Sequence, residues 1–424
     1  IDAYIKRGLK IPFQVERTVD KILREIRTGG DNAVLKFCRK FDYFKAKSIN
    51  DIKVKEKEIK TTATSVKRRS PEIIKALEVS YYNIKDYHTA QFEKEVASWS
   101  IKPGTGKEVG QIVLPLERVG IYIPGGRYIY PSSILMTVIP AVIAKVKEIV
   151  ICTPPQPDGN LNQILLYLCN KFKIKEIYKI GGAQAIAALA YGTQSIKKVD
   201  KIVGPGNSYV IAAKKKVFGE VGIDSLAGPS DIAIIADDYS NSTFIAADLI
   251  SQAEHDPDSR SILLTTSLKT ARETIKSVYK HLDILRNKYE NKANTKIILK
   301  SLKKNCKIIY GEDEDWLITI CNMIAPEHLE LMVKDAKKVL KKIKNAGAIF
   351  VGEYCPVAVG DYIGGTNHVI PTNGNSRFSS PLGVGDFLKK SSITFYKESA
   401  LKLSLIHISE PTRPLYISYA VFCL

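Results

Sequence analysis

Between residues 111 and 236, short runs of β-branched and aliphatic residues alternate with helical segments, and three of the runs stop at glycine turns. Residues 118–123 (Arg-Val-Gly-Ile-Tyr-Ile) stop at Pro124-Gly125-Gly126, residues 174–180 at Gly181-Gly182, and residues 201–203 at Gly204-Pro205-Gly206. Residues 147–152 and 232–236 are further runs of the same buried type, and the spacing predicts helices over 183–191 and 208–217. Parallel strands need a long crossover between them, so this alternation predicts a parallel, doubly wound α/β sheet. A second series follows: strands over 261–265, 307–310 and 348–351, with helices over 268–285 and 335–342. Residues 14–90 read instead as helical, with apolar residues at helical spacing over 19–26 and again over 71–87 after Ser70-Pro71.

The chain has 424 residues, enough for two or three domains. No apolar run reaches the roughly 18 residues that suggest a membrane span. The sequence opens on Ile1-Asp2-Ala3-Tyr4 without methionine and without a secretory pattern, so its true start is expected to be missing. Its 63 Lys and Arg against 44 Asp and Glu give a net charge of +19. The excess is spread thinly over helical stretches such as 53–60, 214–216 and 337–344, which reads as a solvated surface and not as a nucleic-acid or membrane patch. The seven cysteines form no CxxC pair, which fits a reducing, cytoplasmic compartment. Cys152 ends an apolar run and reads as a buried strand residue.

Glycines at strand ends let backbone N–H groups approach a phosphate, and a following helix start favours its charge. The three turns therefore suggest one shared nucleotide or anion site, although Gly204-x-Gly206 lacks the third glycine of the dinucleotide fingerprint and tight turns alone explain such residues equally well. Two of the six histidines stand in dense polar clusters. Gln252 and His255 lie three apart, on one face of a helix, and offer an amide oxygen and an imidazole nitrogen to a borderline cation such as zinc; a structural pair reads the same way. Glu327 and His328 follow Pro326, which at a helix start would put both on an exposed first turn, pointing apart and able to flank one substrate. The alternative there is a plain surface helix start. A third cluster, Gly360 to His368, reads as a glycine-rich loop in which Asp361 is either a hard oxygen ligand or a capping residue.

Together these stretches resemble the histidinol dehydrogenase family. The matching motifs are Arg118 to Gly126, Gly181 to Ala190, Val199 to Asn207, Ala227 to Asp231, Ser251 to His255, Ala325 to Leu329 and Gly360 to Thr372, in the family's order, within a resemblance running from about residue 15 to about 400. The resemblance implies an α/β fold of two Rossmann-like doubly wound domains with small helical extensions. The boundaries expected are an N-terminal extension over 1–17, a first domain over 18–106 and 230–378, a second over 107–229, and a C-terminal extension over 379–424. It implies a cytoplasmic homodimer that binds one zinc ion per subunit and oxidises L-histidinol with two NAD⁺, through L-histidinaldehyde, to L-histidine. By motif position Tyr122, Gln184 and Asn207 are the NAD contacts, and Gln252, His255 and Asp361 are zinc ligands. Ser230, Gln252, His255, His328 and Asp361 contact substrate, and Glu327 and His328 are the catalytic pair.

The family's helical tail supplies a further zinc-binding histidine and a substrate-binding glutamate across the dimer. Residues 403–424 do not resemble that tail: His407 and Glu410 come too early, and Pro411 and Pro414 would break a helix. They are expected to be foreign sequence, leaving three protein ligands with water in the fourth position. The alternative is an inactive or weak relative that only binds NAD or an imidazole ligand.

Overall fold

The computed structural model describes residues 11–125, 131–288 and 292–402. The strand-end Gly126 and the tail over 403–424, with His407 and Glu410, lie outside the described residues. In chain order the strands are β1 (Trp99–Gly104), β2 (Lys107–Pro115), β3 (Arg118–Tyr122), β4 (Glu148–Thr153), β5 (Glu176–Lys179), β6 (Lys201–Val203), β7 (Gly222–Ile223), β8 (Asp231–Ala236), β9 (Arg260–Thr265), β10 (Cys306–Tyr310), β11 (His328–Met332), β12 (Ala348–Val351) and β13 (Leu388–Tyr396).

A strand that is apolar on both sides needs cover on both faces. In β3 and β4, Ile121 and Ile151 pack against the helices Pro131–Ile143 and Gln163–Lys171, while Tyr122, Val150 and Cys152 face the opposite layer, with Phe13–Phe41 and Gly182–Tyr191. The result is a five-stranded sheet in the order β5-β4-β3-β6-β7, every pair parallel. The second series builds another, in the order β10-β9-β8-β11-β12, also parallel throughout. Leu329 and Leu331 face the helix Glu314–Ile324, whereas Ile232, Ile234 and Met332 face Ser242–His255. In both sheets the chain starts in the middle, builds outward, then returns to the other side of its first strand. The strand order therefore reverses between β3 and β6, and between β8 and β11.

The expected helices over 14–90 are present as Phe13–Phe41, Ile49–Ile52, Glu56–Arg69 and Pro71–Glu95, and the helix Ser208–Val217 matches the expected bounds. Two expectations are corrected. Pro326-Glu327-His328 does not open a helix: His328 is the first residue of β11, and both side chains are buried. Asp361 does not lie in a loop but in the short helix Val357–Tyr362. The antiparallel sheet β1-β2-β13 was not anticipated. It joins residues near 110 to residues near 390.

Candidate active site

A cavity of about 490 Å³ opens between the two parallel sheets. On one side lies the carboxyl edge of the first sheet, with Pro124 after β3 and Gly204 to Asn207 after β6. On the other side lies the amino edge of the second, with Ser230 just before β8 and Glu327 and His328 at the start of β11. At the first sheet this is the carboxyl edge where the order reverses between β3 and β6, so loops diverge there and leave a crevice, which the amino ends of β8 and β11 close from the other side.

The chain reaches Glu327 through a forced turn. The helix Glu314–Ile324 ends on Ala325 in the left-handed region, at φ 49°, and Pro326 then lacks the N–H needed to continue it. The Glu327 N–H donates to Asp231 Oδ1 at 3.0 Å, and the Asp231 N–H donates to Glu327 Oε2 at 3.0 Å. This reciprocal pair fixes the carboxylate against β8. Burial, then the neighbouring Asp231 charge, pushes the Glu327 carboxyl well above the usual carboxylate range; the Asp231 N–H and the Ser230 hydroxyl oppose the shift. His328 Nδ1 lies 3.2 Å from the Asp231 carbonyl oxygen. A carbonyl only accepts, so Nδ1 carries the proton and Nε2 keeps the lone pair. Burial holds the imidazole neutral by lowering its pKa to about 4, with His255 and His368 adding to the effect. The two side chains do approach one another, Nδ1 to Oε2 at 3.8 Å, contrary to the expectation that they point apart.

His255 and Asp361 line the same cavity. Burial pushes Asp361 up to about 6. Gln252 sits one turn before His255, buried, and does not line the cavity; its Nε2 has no hydrogen-bond partner. Among the described residues no three His, Cys, Asp or Glu side chains form a metal cage. The predicted set contains only two residues of those types, its third ligand being an amide. Gln252 Nε2 loses no bond if the amide turns, so an amide oxygen, an imidazole nitrogen and a buried carboxylate are a donor set that fits a borderline divalent cation.

A second cavity, about 360 Å³, lies over the carboxyl ends of the first sheet. Tyr122, Gln184 and Asn207 all line it, and Asn207 lines the first cavity as well. The Tyr122 hydroxyl accepts from the Gly182 N–H at 3.1 Å. Asn207 caps the helix Ser208–Val217, its Oδ1 accepting from the N–H groups of Tyr209 and Val210, which leaves its Nδ2 free to donate into either cavity. The turn before it is clamped: Gly204 donates to Asp224 Oδ2 at 2.7 Å, Lys214 Nζ donates to the Gly204 carbonyl at 3.0 Å, and Lys214 pairs with Asp224 out of solvent.

Two residues of this site were missed from sequence. Asp231 orients both Glu327 and His328, and His368 lines the first cavity with its buried Nε2 unpartnered. The signal existed, since both lie inside motifs already singled out, beside Ser230 and Asp361.

A family model described as histidinol dehydrogenase matches residues 6–410, past the last described residue. Histidinol dehydrogenase of Prochlorococcus marinus (strain MIT 9312) is 44% identical over 396 residues, covering 93% of this chain and 86% of that one. The enzyme of the same name from Bacillus licheniformis is 45% identical over 399 residues, covering 94% and 90%. The crystal structure of histidinol dehydrogenase from Elizabethkingia anophelis superimposes with a TM-score of 0.87 at 35% identity, covering 96% of this chain and 90% of that one.

Proposed function

Because this chain belongs to the histidinol dehydrogenase family, we propose that its two adjoining cavities oxidise L-histidinol to L-histidine in two successive hydride transfers. The chain is an oxidoreductase of histidine biosynthesis. The alternative of an inactive relative finds no support, since identity extends over more than nine-tenths of the chain. The observation that carries the proposal is the buried His328–Asp231–Glu327 arrangement, which supplies one neutral base and one carboxyl on the same cavity.

Bound zinc would supply a Lewis-acid anchor for the substrate's imidazole, and NAD⁺ would supply the hydride acceptor for each of the two oxidations. Gln252, His255 and Asp361 would hold the metal, and Tyr122, Gln184 and Asn207 the dinucleotide. His328 Nε2 takes the hydroxyl proton as the first hydride leaves the carbinol carbon, giving the aldehyde. The Asp231 carbonyl keeps Nε2 pointed into the cavity and stabilises the imidazolium that forms. Glu327 then takes a proton from a water that attacks the aldehyde carbon, and the second hydride leaves. A raised carboxyl pKa brings Glu327 toward the range where a general base is most effective. Ser230 faces the same cavity and would bond the substrate's polar groups.

We read the first Rossmann-like unit as 107–229 together with the helices of 18–95, which pack on its sheet, and the second as 230–378, in place of the expected grouping of 18–106 with 230–378; we read the enzyme as a cytoplasmic homodimer. The solvent-exposed Trp99, Ile101 and Phe395 on the antiparallel sheet support a partner subunit there. Six described cysteines, all unpaired, support a reducing compartment. No described helix is long and apolar enough to cross a membrane.

The test is absorbance at 340 nm with purified chain, zinc, L-histidinol and NAD⁺. Two NADH per histidinol consumed is the expected stoichiometry; absence of NADH under these conditions overturns the proposal.

A further inference from the structure

Asp42 is the only carboxylate that lines the cofactor-side cavity among the described residues. It stands at the C-terminal end of the helix Phe13–Phe41, where a negative charge opposes that helix's own dipole. Its placement is explained by a different helix. Asp42 Oδ2 accepts from the Gly181 N–H at 3.2 Å and from Gln184 Nε2 at 3.1 Å, at the start of Gly182–Tyr191. A helix start at the carboxyl end of a parallel strand is ordinarily open to a phosphate. Here the protein's own carboxylate already holds that position. Both N–H bonds fall on Oδ2 and the Cys38 thiol is a further partner of the carboxylate, whose lone pairs still suffice to accept from a hydroxyl of a bound molecule.

The direction in which a dinucleotide would lie follows from the shared residue. Asn207, after β6, belongs to both cavities, so the reacting nicotinamide end sits there, next to the substrate. The adenosine end then runs toward Pro154 after β4 and Gly182 after β5, which is where Asp42 enters. Resting on the reading of this cavity as a dinucleotide site, we infer that Asp42 determines cofactor specificity, accepting a hydrogen bond from the adenosine ribose and excluding the 2′-phosphate of NADP. A ribose diol offers hydroxyl donors to a carboxylate. A 2′-phosphate brings two negative charges against it and finds the Gly181 and Gly182 N–H groups already bonded to Asp42 and Tyr122.

The experiment is calorimetric titration of the full chain with ADP-ribose, 2′-phospho-ADP-ribose, NADH and NADPH. Wild type is expected to bind ADP-ribose at least about tenfold more tightly than its 2′-phosphorylated form, the scale set by one charge-assisted hydrogen bond. In Asp42→Asn this ratio falls about tenfold, and the NADH-to-NADPH ratio falls with it. Equal binding of the two ADP-ribose forms by wild type overturns the inference without recourse to any variant. So does a variant that weakens both ligands equally, since Asp42 is then only a cap for its helix. Failure of wild type to bind either NADH or ADP-ribose is a separate result, which overturns the dinucleotide reading together with the role of Asp42.

Discussion

At the residue scale, the site depends on which atoms Asp231 leaves free. Its backbone carbonyl selects the tautomer of His328, and its carboxylate and N–H bracket Glu327. The two catalytic candidates are therefore set to different tasks by one neighbour. Glu327→Gln retains the size of the side chain and its acceptor for the Asp231 N–H but cannot take a proton from water. It is expected to slow aldehyde oxidation by about 10²–10⁴-fold, the usual worth of a general base, with a much smaller loss in alcohol oxidation. Single-turnover measurements starting from histidinol and from histidinaldehyde separate the two; equal losses remove Glu327 from the water-activating role. His328→Asn should slow release of the first NADH equivalent, because an amide cannot take the hydroxyl proton. Residue identities were largely legible in the sequence, because Gln, His, Asp and Glu carry their chemistry with them. Orientation was not: nothing in Pro326-Glu327-His328 announces that residue 231 will supply their partner from nearly a hundred positions away.

At the element scale, what the sequence revealed depended on local pattern. Strands buried on both faces are continuous apolar runs bounded by glycine or proline, so β3, β4 and β6 were legible almost to the residue. β11 was read as a helix start because proline followed by glutamate is the chemistry of a helix first turn, and only its parallel pairing with β8 decides otherwise. β1 and β13 are exposed along nearly their whole length, which leaves no alternation to detect. The turns obey stricter rules. Gly204 has φ +114°, and a Cβ placed there would lie 2.1 Å from the Tyr122 carbonyl oxygen. Gly219 has a similar φ of +103° but nothing within 4 Å. Gly219→Ala is therefore expected to cost only the backbone term, about 1–2 kcal/mol, with cofactor binding unchanged. Gly204→Ala adds a collision with β3 and shifts the Asn207 turn, so NADH affinity should fall at least about tenfold beyond any loss of stability. Thermal unfolding and NADH titration of the two variants side by side give the comparison. Equal NADH affinity in both would show that the turn does not position the cofactor.

At the scale of the whole molecule, the two parallel sheets share one strand order but are used from opposite ends. The first offers its carboxyl edge to the cavity and the second its amino edge, so Ser230, Glu327 and His328 reach it from the segments that lead into β8 and β11. That leaves the interior of the second sheet to be stabilised in its own way, and it carries an unusual feature. Glu330, fully buried on β11, takes the Val357 N–H on Oε1 at 3.1 Å; its Oε2 makes no well-formed hydrogen bond but lies beside the Asp248 carboxyl. Burial pushes Glu330 well above the usual range and Asp248 up to about 6. Carboxyls whose folded pKa is raised stabilise the fold fully below their unfolded pKa, about 4, and lose that contribution as pH rises through the folded values. The buried His328 and His368, both lowered to about 4, act in the opposite sense, losing stability as pH falls below about 6.5. Absolute pH profiles therefore mix the two, and a difference is needed. Glu330→Gln keeps the acceptor for Val357, supplies an N–H toward Asp248 and cannot ionise. Between pH 5 and pH 8 wild type should lose about 1 kcal/mol more unfolding free energy than Glu330→Gln, measured by denaturant titration at each pH. Parallel profiles would mean that the carboxyl pair is ionised without penalty in the folded chain. A gain for the variant confined to high pH would identify the pair as a stability cost that the second sheet carries at neutral pH.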